Sequence, residues 1–120
     1  MTIGTSVTGI RRSAFYGCRS LKSVTIPDSV TSIGESAFGN CDSLTGVTIG
    51  TSVTLIEEQA FNRCKVLTSV TVEVTNPPKI KYKNIFSVHD TLYVPMESVD
   101  LYKKAPHWNR FQHIIGVEFS

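Results

Sequence analysis

The chain has 120 residues, of which 41% are hydrophobic, and a formal net charge of +2 from 12 basic and 10 acidic residues. This length suits a single domain, and the charge is too balanced to imply nucleic acid or an anionic membrane as the main partner. No apolar run approaches the ~20 residues of a membrane-spanning helix, so membrane insertion is excluded.

A repeat of 23 residues accounts for most of the sequence. The positions that recur at this interval include Val7, Val30 and Val53; Ile10, Ile33 and Ile56; Phe15, Phe38 and Phe61; and Cys18, Cys41 and Cys64. Such a period lies within the range of leucine-rich repeats, about 20–29 residues. The sequence therefore predicts an α/β solenoid, a right-handed superhelix of leucine-rich repeats that is mostly parallel β with short helical or 3₁₀ turns.

The chain begins inside a repeat, because Thr2-Ile3-Gly4 matches Thr25-Ile26-Pro27. Solenoids need caps over their terminal apolar repeats, and no capping segment precedes the first repeat. We therefore expect the chain to be the C-terminal part of a longer repeat protein. Uncovered apolar residues at this end, Ile3, Val7 and Ile10, are expected to drive end-to-end self-association.

Each repeat is predicted to contain one strand, which occupies residues 23–26 in the second copy. Period-2 alternation directs Val24 and Ile26 inward, while Ser23 and Thr25 face solvent. Stacked strands give a broad outward surface, which is the default ligand surface of a solenoid. Its predicted members, together with positions that vary between copies, are Lys22, Ser23, Thr25, Thr45, Thr48, Thr68, Ser69, Thr71 and Glu73.

The second half of each repeat is predicted to return the chain to the next strand. Gly34 permits a turn, and Ser36-Ala37-Phe38 is predicted as one helical or 3₁₀ turn that places the phenylalanine in the core. The phenylalanines are expected to stack from repeat to repeat. The three cysteines are predicted to form a column of buried thiols, because three thiols in a line do not make a tetrahedral zinc site.

The period breaks after Val72, where Pro77-Pro78 lacks backbone N–H groups. A fourth, degenerate repeat follows, in which Phe86 falls two residues late and 91–95 forms the last repeat strand. This repeat contains Lys79, Lys81 and Lys83. We interpret them as a solvated strand face that discourages edge pairing, with an acidic partner as the alternative.

The remaining residues have a different composition and are predicted to close the open end of the solenoid. A short helix is expected to end at Lys104, before Pro106, and Trp108 supplies bulky apolar surface. Residues 114–117 are predicted as a closing strand or extended segment. The chain is thus divided into repeats over residues 1–95 and a C-terminal capping segment over residues 96–120.

Residues suited to catalysis are present but do not form a recognisable site. His89 and Asp90 are neighbours, but sequence neighbours are rarely partners in a catalytic triad, and no G-x-S-x-G motif occurs. His107 and His113 are spaced in a way that favours no metal site. The sequence therefore predicts no catalytic, cofactor-binding or metal-binding residues.

The repeat SVTIPDSVTSIGESAFGNCDSLTGVTI resembles the BspA-type leucine-rich repeats of bacterial surface proteins, and LYVPMESVDLYKKAPHWNRF resembles the cap that often follows them. The resemblance implies an exported, extracellular or cell-surface module of adhesin type. It also implies protein or glycan partners on host or bacterial surfaces, with no enzymatic activity and no cofactor. A structural spacer without its own ligand is the alternative, and a hydrolase is the remote alternative.

Overall fold

The computed structural model describes Met1, residues 3–80 and residues 85–119. Three residues used in the sequence predictions, Thr2, Lys81 and Lys83, lie outside the described residues. Of the predicted lysine face, Lys79 is described, and its side chain is exposed.

Two parallel sheets extend along the repeats, and each repeat contributes one strand to each sheet. The strands are β1 (Gly9–Ile10), β2 (Ser23–Ile26), β3 (Ser32–Ile33), β4 (Gly46–Ile49), β5 (Leu55–Ile56), β6 (Ser69–Val72), β7 (Lys79–Ile80), β8 (Thr91–Pro95) and β9 (His113–Val117). The first sheet has the order β2-β4-β6-β8-β9, and the second has the order β1-β3-β5-β7. This arrangement of stacked parallel strands with little helix confirms the predicted α/β repeat fold. We call one level of the stack a rung.

The register between strands equals the period of the sequence. Ser23 pairs with Gly46 and Gly46 with Ser69, so each of the first two steps along the first sheet advances the chain by 23 residues, whereas the steps to β8 and β9 advance it by 22. Within a strand, successive side chains point to opposite faces. Val24 and Ile26 accordingly face the interior and are 1% and 0% exposed. The inward and outward positions predicted for this strand are confirmed.

The return segments consist of hydrogen-bonded turns, which corrects the helical turn predicted over residues 36–38. The N–H of Ala37 donates to the carbonyl of Gly34 at 3.1 Å, and Ser36 has a φ of 56°. The equivalent residues of the other two regular repeats share this left-handed conformation. A positive φ is incompatible with a right-handed α or 3₁₀ helix. The turn nevertheless buries its phenylalanine completely, as predicted.

The phenylalanines form one continuous stack through the core. Ring centroids are 5.1 Å apart for Phe15 and Phe38, 5.3 Å for Phe38 and Phe61, and 5.4 Å for Phe61 and Phe86. The rings are nearly parallel, with interplanar angles of 3–8°. The predicted column is confirmed, and it extends into the degenerate repeat although Phe86 comes late in the sequence.

The proline pair interrupts the period of the sequence without ending the second sheet. The step from Leu55 to its partner Lys79 is one residue longer than the regular 23-residue step. The chain then rejoins the sheet, because the N–H of Lys79 donates to the carbonyl of Thr54 at 2.8 Å. The interruption predicted at Pro77-Pro78 is therefore local.

The C-terminal segment, residues 96–119, contains a 3₁₀ helix (Met96–Ser98), the helix α1 (Val99–Lys104), a second 3₁₀ helix (Trp108–Arg110) and strand β9. The helix α1 ends as predicted, because Ala105 is extended, with a ψ of 132°, and a residue that precedes proline avoids the helical region. Strand β9 pairs in parallel with β8, which confirms the predicted closing strand.

Two buried aromatic residues attach the C-terminal segment to the fourth repeat. The hydroxyl of Tyr102 donates to the carbonyl of Val74 at 2.6 Å, and Trp108 Nε1 donates to the carbonyl of Pro78 at 2.9 Å. Both side chains are almost fully buried. The carbonyls that they satisfy belong to the irregular loop around the prolines, where the regular sheet pattern cannot supply donors.

The side chains that are left uncovered in the N-terminal rung are not the ones that the sequence predicts. Ile3 and Ile10 are only 7% and 5% exposed, so the expectation that they are uncovered is wrong. Their side chains point into the stack and are covered by the next rung. Other side chains of this rung, among them Phe15 and Leu21, are half-buried, whereas their equivalents in the next rung are fully buried.

Candidate functional site

One row of side chains crosses all five strands on the outward face of the first sheet. The pairing of the strands aligns Thr25, Thr48, Thr71, Tyr93 and Ile115 in that order. The three threonines were predicted on this face. The sheet thus carries small hydroxyl side chains over its first three strands and larger side chains over the last two.

Tyr93 and Ile115 are the members of this row that the sequence prediction missed. Tyr93 is half-buried and Ile115 is 43% exposed. The signal for Tyr93 was present, because it alternates with the inward residues Leu92 and Val94. Ile115 could not be assigned to this face from the sequence, since its strand belongs to no repeat and its register follows from pairing with β8.

The nine predicted residues of the ligand face do not form one compact patch. Three of them, Lys22, Thr45 and Thr68, precede the strands at one edge of the sheet, whereas Glu73 follows β6 at the other edge. At about 3.3 Å per residue, Thr68 and Glu73 are roughly 16 Å apart. Thr45 Oγ1 donates to the carbonyl of Lys22 at 3.1 Å, so this hydroxyl supports the contact between rungs. Ser23 and Ser69 lie on the outward face as predicted.

An open groove of about 700 Å³ runs along the edge of the first sheet at which its strands end. It is lined by residues that follow successive strands, so that five rungs contribute to one surface. Glu73 is its only member among the predicted ligand-face residues. Its apolar lining comes from Pro95, Val117 and Phe119, which lie near the outward row.

The charged residues that line this groove are all acidic. They are Asp28, Glu73, Glu97 and Glu118. Asp28 Oδ1 accepts a hydrogen bond from the N–H of Thr51 at 2.8 Å, which fixes one of these carboxylates against the backbone. Carboxylates of like charge along a concave surface make a negative potential that attracts cationic groups. The groove therefore has the electrostatic character of a surface for a positively charged partner.

The cysteine column belongs to the core and makes hydrogen bonds there. Cys41 Sγ donates to the carbonyl of Phe15 at 3.4 Å, and Cys64 Sγ donates to that of Phe38 at 3.0 Å. All three thiols are free, and Cys18, in the first rung, is half-buried. The hydrogen bond with Cys41, together with burial, raises the pKa of Cys64 well above that of a free thiol. Cys64 is thus a protonated donor, whereas the same hydrogen bond lowers the pKa of Cys41 to about 7.

His89 takes part in an aromatic cluster. Its ring centroid is 6.3 Å from that of Phe86 and 5.3 Å from that of Phe111, in edge-on contact with both. The neighbouring Asp90 accepts a hydrogen bond from Thr91 Oγ1 at 2.9 Å. Burial and the nearby charge of Arg110 lower the pKa of His89. Among the described residues, no group of three or more histidines, cysteines or carboxylates is arranged to hold a metal ion.

Within the described part of the chain, no helix is long and apolar enough to cross a membrane.

Comparison with known protein families gives one match that covers most of the chain. The family model described as "BspA type Leucine rich repeat region (6 copies)" matches residues 1–95. No curated protein sequence matches the chain. Repeats of this class serve protein interaction and are typically non-enzymatic, and this family is associated with bacterial surface proteins.

Proposed function

We propose that this chain, which belongs to the BspA-type leucine-rich repeat family, is a non-enzymatic binding module of adhesin type on a bacterial surface. Its ligand is a protein or a glycan that binds across the outward face of the first sheet. In this proposal residues 1–95 form the binding array, and residues 96–120 cap it. Export from the cell is part of the same proposal.

The observation that carries this proposal is the change in side-chain size along the outward row. Threonines at the first three strands give a flat hydroxyl surface, and Tyr93 then provides an aromatic ring beside the exposed Ile115. Aromatic residues of this kind dominate the binding energy of many interfaces, whereas small hydroxyl residues contribute complementarity. We therefore assign the centre of the binding surface to Tyr93, with Thr71 and Ile115 at its sides.

The acidic groove adds a preference for cationic partners. Glu73 and Glu97 line it close to the strands that carry Thr71 and Tyr93. A basic segment of a ligand protein would lie in the groove while an apolar or sugar ring contacts Tyr93. Because such charges are screened by salt, binding through this surface is expected to weaken as ionic strength rises.

The experiment is a screen of purified wild-type protein on arrays of extracellular-matrix proteins and of glycans, followed by titration of every hit. The substitution Tyr93→Thr restores the hydroxyl of the regular repeats and should weaken binding at least tenfold. The matched control, Leu55→Thr, changes an outward residue of the second sheet and should leave affinity unchanged. Equal affinity of the two variants would show that the ligand surface lies elsewhere.

A structural spacer without its own ligand is the second candidate function. Over its first three strands the outward row consists of small threonine side chains, and this observation favours a spacer function. A spacer predicts no hit on either array, with normal export of the protein to the cell surface.

A hydrolase remains the remote alternative, and it would have to use two groove carboxylates such as Glu73 and Glu118. Loss of turnover in the Glu73→Gln and Glu118→Gln variants would be its signature.

End-to-end association through the N-terminal rung is proposed as a further property of the repeats. The support comes from side chains that are half-buried in this rung and fully buried one rung later, as for Phe15 and Phe38 or Leu21 and Leu44. Covering them by a second copy removes apolar surface from water. The Leu21→Lys variant should reduce this association, which light scattering measures. A monodisperse monomer at millimolar concentration would argue against it.

A further inference from the structure

Strand β9 is an edge strand without the features that usually prevent edge pairing. It is the last strand of the first sheet and, within the described residues, pairs with β8 alone. Its sequence, His113–Val117, contains no lysine, no proline and no acidic residue. Natural edge strands are commonly protected by such residues or by bulges. This edge instead offers the backbone N–H and C=O groups of alternate residues, which point away from β8.

Exposed apolar side chains accumulate around this edge. Ile115 is 43% exposed and Phe119 is 37% exposed, and Met96 and Leu101 of the same C-terminal segment are 55% and 46% exposed. These four are more than half of the seven large hydrophobic residues that the described chain exposes. Exposed apolar side chains on and just after an edge strand, as at Ile115 and Phe119, are typical of an interaction site.

The sequence around β9 is complementary to itself when it is read in the opposite direction. If two copies pair antiparallel with Ile115 opposite Ile115, Gln112 of one copy lies opposite Glu118 of the other. This contact occurs twice. A parallel arrangement would instead place the two Glu118 side chains side by side, which is unfavourable.

We infer that the protein forms a symmetric dimer in which two copies of β9 pair antiparallel about Ile115. The two five-stranded sheets then become one sheet of ten strands. The two-fold axis is perpendicular to this sheet, so the outward rows of both copies face the same side. A contact made by one short strand and a few side chains is smaller than a standard interface, so the dimer dissociates readily on dilution.

The first test is the mass of the full chain over a concentration series, measured by analytical ultracentrifugation. The wild-type protein should shift from monomer to dimer as concentration rises. Ile115→Lys places two like charges directly opposite each other and should raise the dissociation constant at least tenfold. The matched control, Thr48→Lys, introduces the same charge on the same face three strands away and should dimerise as the wild type does.

A second variant tests the register and does not depend on how the lysine substitution is tolerated. In the proposed pairing the two Cβ atoms of residue 115 are about 4.5–5.5 Å apart, so a mild oxidant should join two copies of Ile115→Cys. The control Thr48→Cys should form no disulfide-linked dimer under the same conditions. Failure of Ile115→Cys to cross-link, or a dimer that Leu21→Lys abolishes and Ile115→Lys does not, would overturn the inference.

Discussion

Phe15 and Phe38 occupy equivalent positions in successive repeats, yet their surroundings differ. Phe38 has an aromatic ring on both sides, at 5.1 and 5.3 Å, whereas Phe15 has one stacking partner and is half-buried. Buried side chains lose more stability on truncation because a cavity remains that the surroundings cannot fill. Position in the stack, and not residue type, therefore sets the contribution of each ring.

We predict that Phe38→Ala lowers the free energy of unfolding by about 3–5 kcal/mol, since a fully buried ring is removed from the middle of the stack. Phe15→Ala serves as the matched control and should cost less than half as much. Urea denaturation followed by circular dichroism gives both values. Equal losses for the two variants would contradict the importance of the second stacking partner.

The stability of the protein should fall at alkaline pH because of Tyr102. Burial raises the pKa of Tyr102, whose hydroxyl donates to the carbonyl of Val74. A pKa that is higher in the folded state than in the unfolded state, where it is about 10, means that the folded state holds the proton more tightly. The resulting stabilisation is complete below pH ~10 and is lost as the pH rises above that value.

We expect Tyr102→Phe to be less stable than the wild type at pH 8, by about 1 kcal/mol for the lost hydrogen bond. Above pH ~10 its stability should decline less steeply, by up to about 1.4 kcal/mol per pH unit. Urea titrations at several pH values measure both effects. The thiol of Cys64 contributes to the decline in both proteins and cancels in the comparison. Identical slopes would mean that Tyr102 ionises normally in the folded protein.

At the scale of elements, the strands were predictable and the turns were not. A 23-residue period in the sequence is also the register of the sheets, so hydrophobic periodicity located the regular strands and their inward residues. The left-handed Ser36 carries no comparable signal, because serine is compatible with helical turns and with positive φ alike. The expected helical turn was therefore wrong in geometry, although it placed Phe38 correctly.

The candidate site was harder to predict for a related reason. The groove is formed by residues that follow five different strands, from Asp28 to Phe119, and no local pattern connects them. The pairing of β8 with β6 and with β9 brings Glu118 to the same edge of the sheet as Glu73. Sequence periodicity describes regular rungs well, whereas the site depends on the irregular ones.

Because neighbouring rungs approach closely at Gly50, replacing this glycine should destabilise the protein, whereas replacing Gly46 should not. A Cβ atom on Gly50 would lie 2.7 Å from the carbonyl oxygen of Ile26, whereas on Gly46 its nearest neighbour would be at 3.7 Å. We predict that Gly50→Ala costs about 1–3 kcal/mol because the backbone must shift. Gly46→Ala should be neutral or slightly stabilising. Thermal melts compare the two, and equal melting temperatures would show that the rungs separate easily.

At the scale of the whole molecule, the C-terminal segment and the repeats are expected to unfold together. Tyr102 and Trp108 are buried against the fourth repeat and donate hydrogen bonds to it, and the Trp108 ring lies 5.7 Å from that of Phe86. The end of the aromatic stack is thus covered by the C-terminal segment. Repeat arrays depend on such terminal units to cover their last apolar surface.

Trp108 is the single tryptophan of the chain, so its fluorescence reports on the C-terminal segment alone. We predict that its urea transition coincides with the transition of the sheets, followed by circular dichroism. Trp108→Phe should shift the circular-dichroism transition to lower urea, because it loses the hydrogen bond to Pro78 and part of the ring. A fluorescence transition that precedes the loss of β signal would mean that the segment detaches by itself.

The equality between register and period also has a consequence for the gene. In the regular part, the paired strand residues of successive rungs are 23 positions apart, as in the pairing of Val24 with Val47 and of Val47 with Val70. A duplication or loss of 23 codons there changes the number of rungs while each new junction keeps the same neighbours. The step from Phe61 to Phe86 breaks this rule, so the fourth repeat cannot be exchanged in the same way. Variation in length by recombination is therefore expected upstream of Glu73, with Tyr93 and the groove retained.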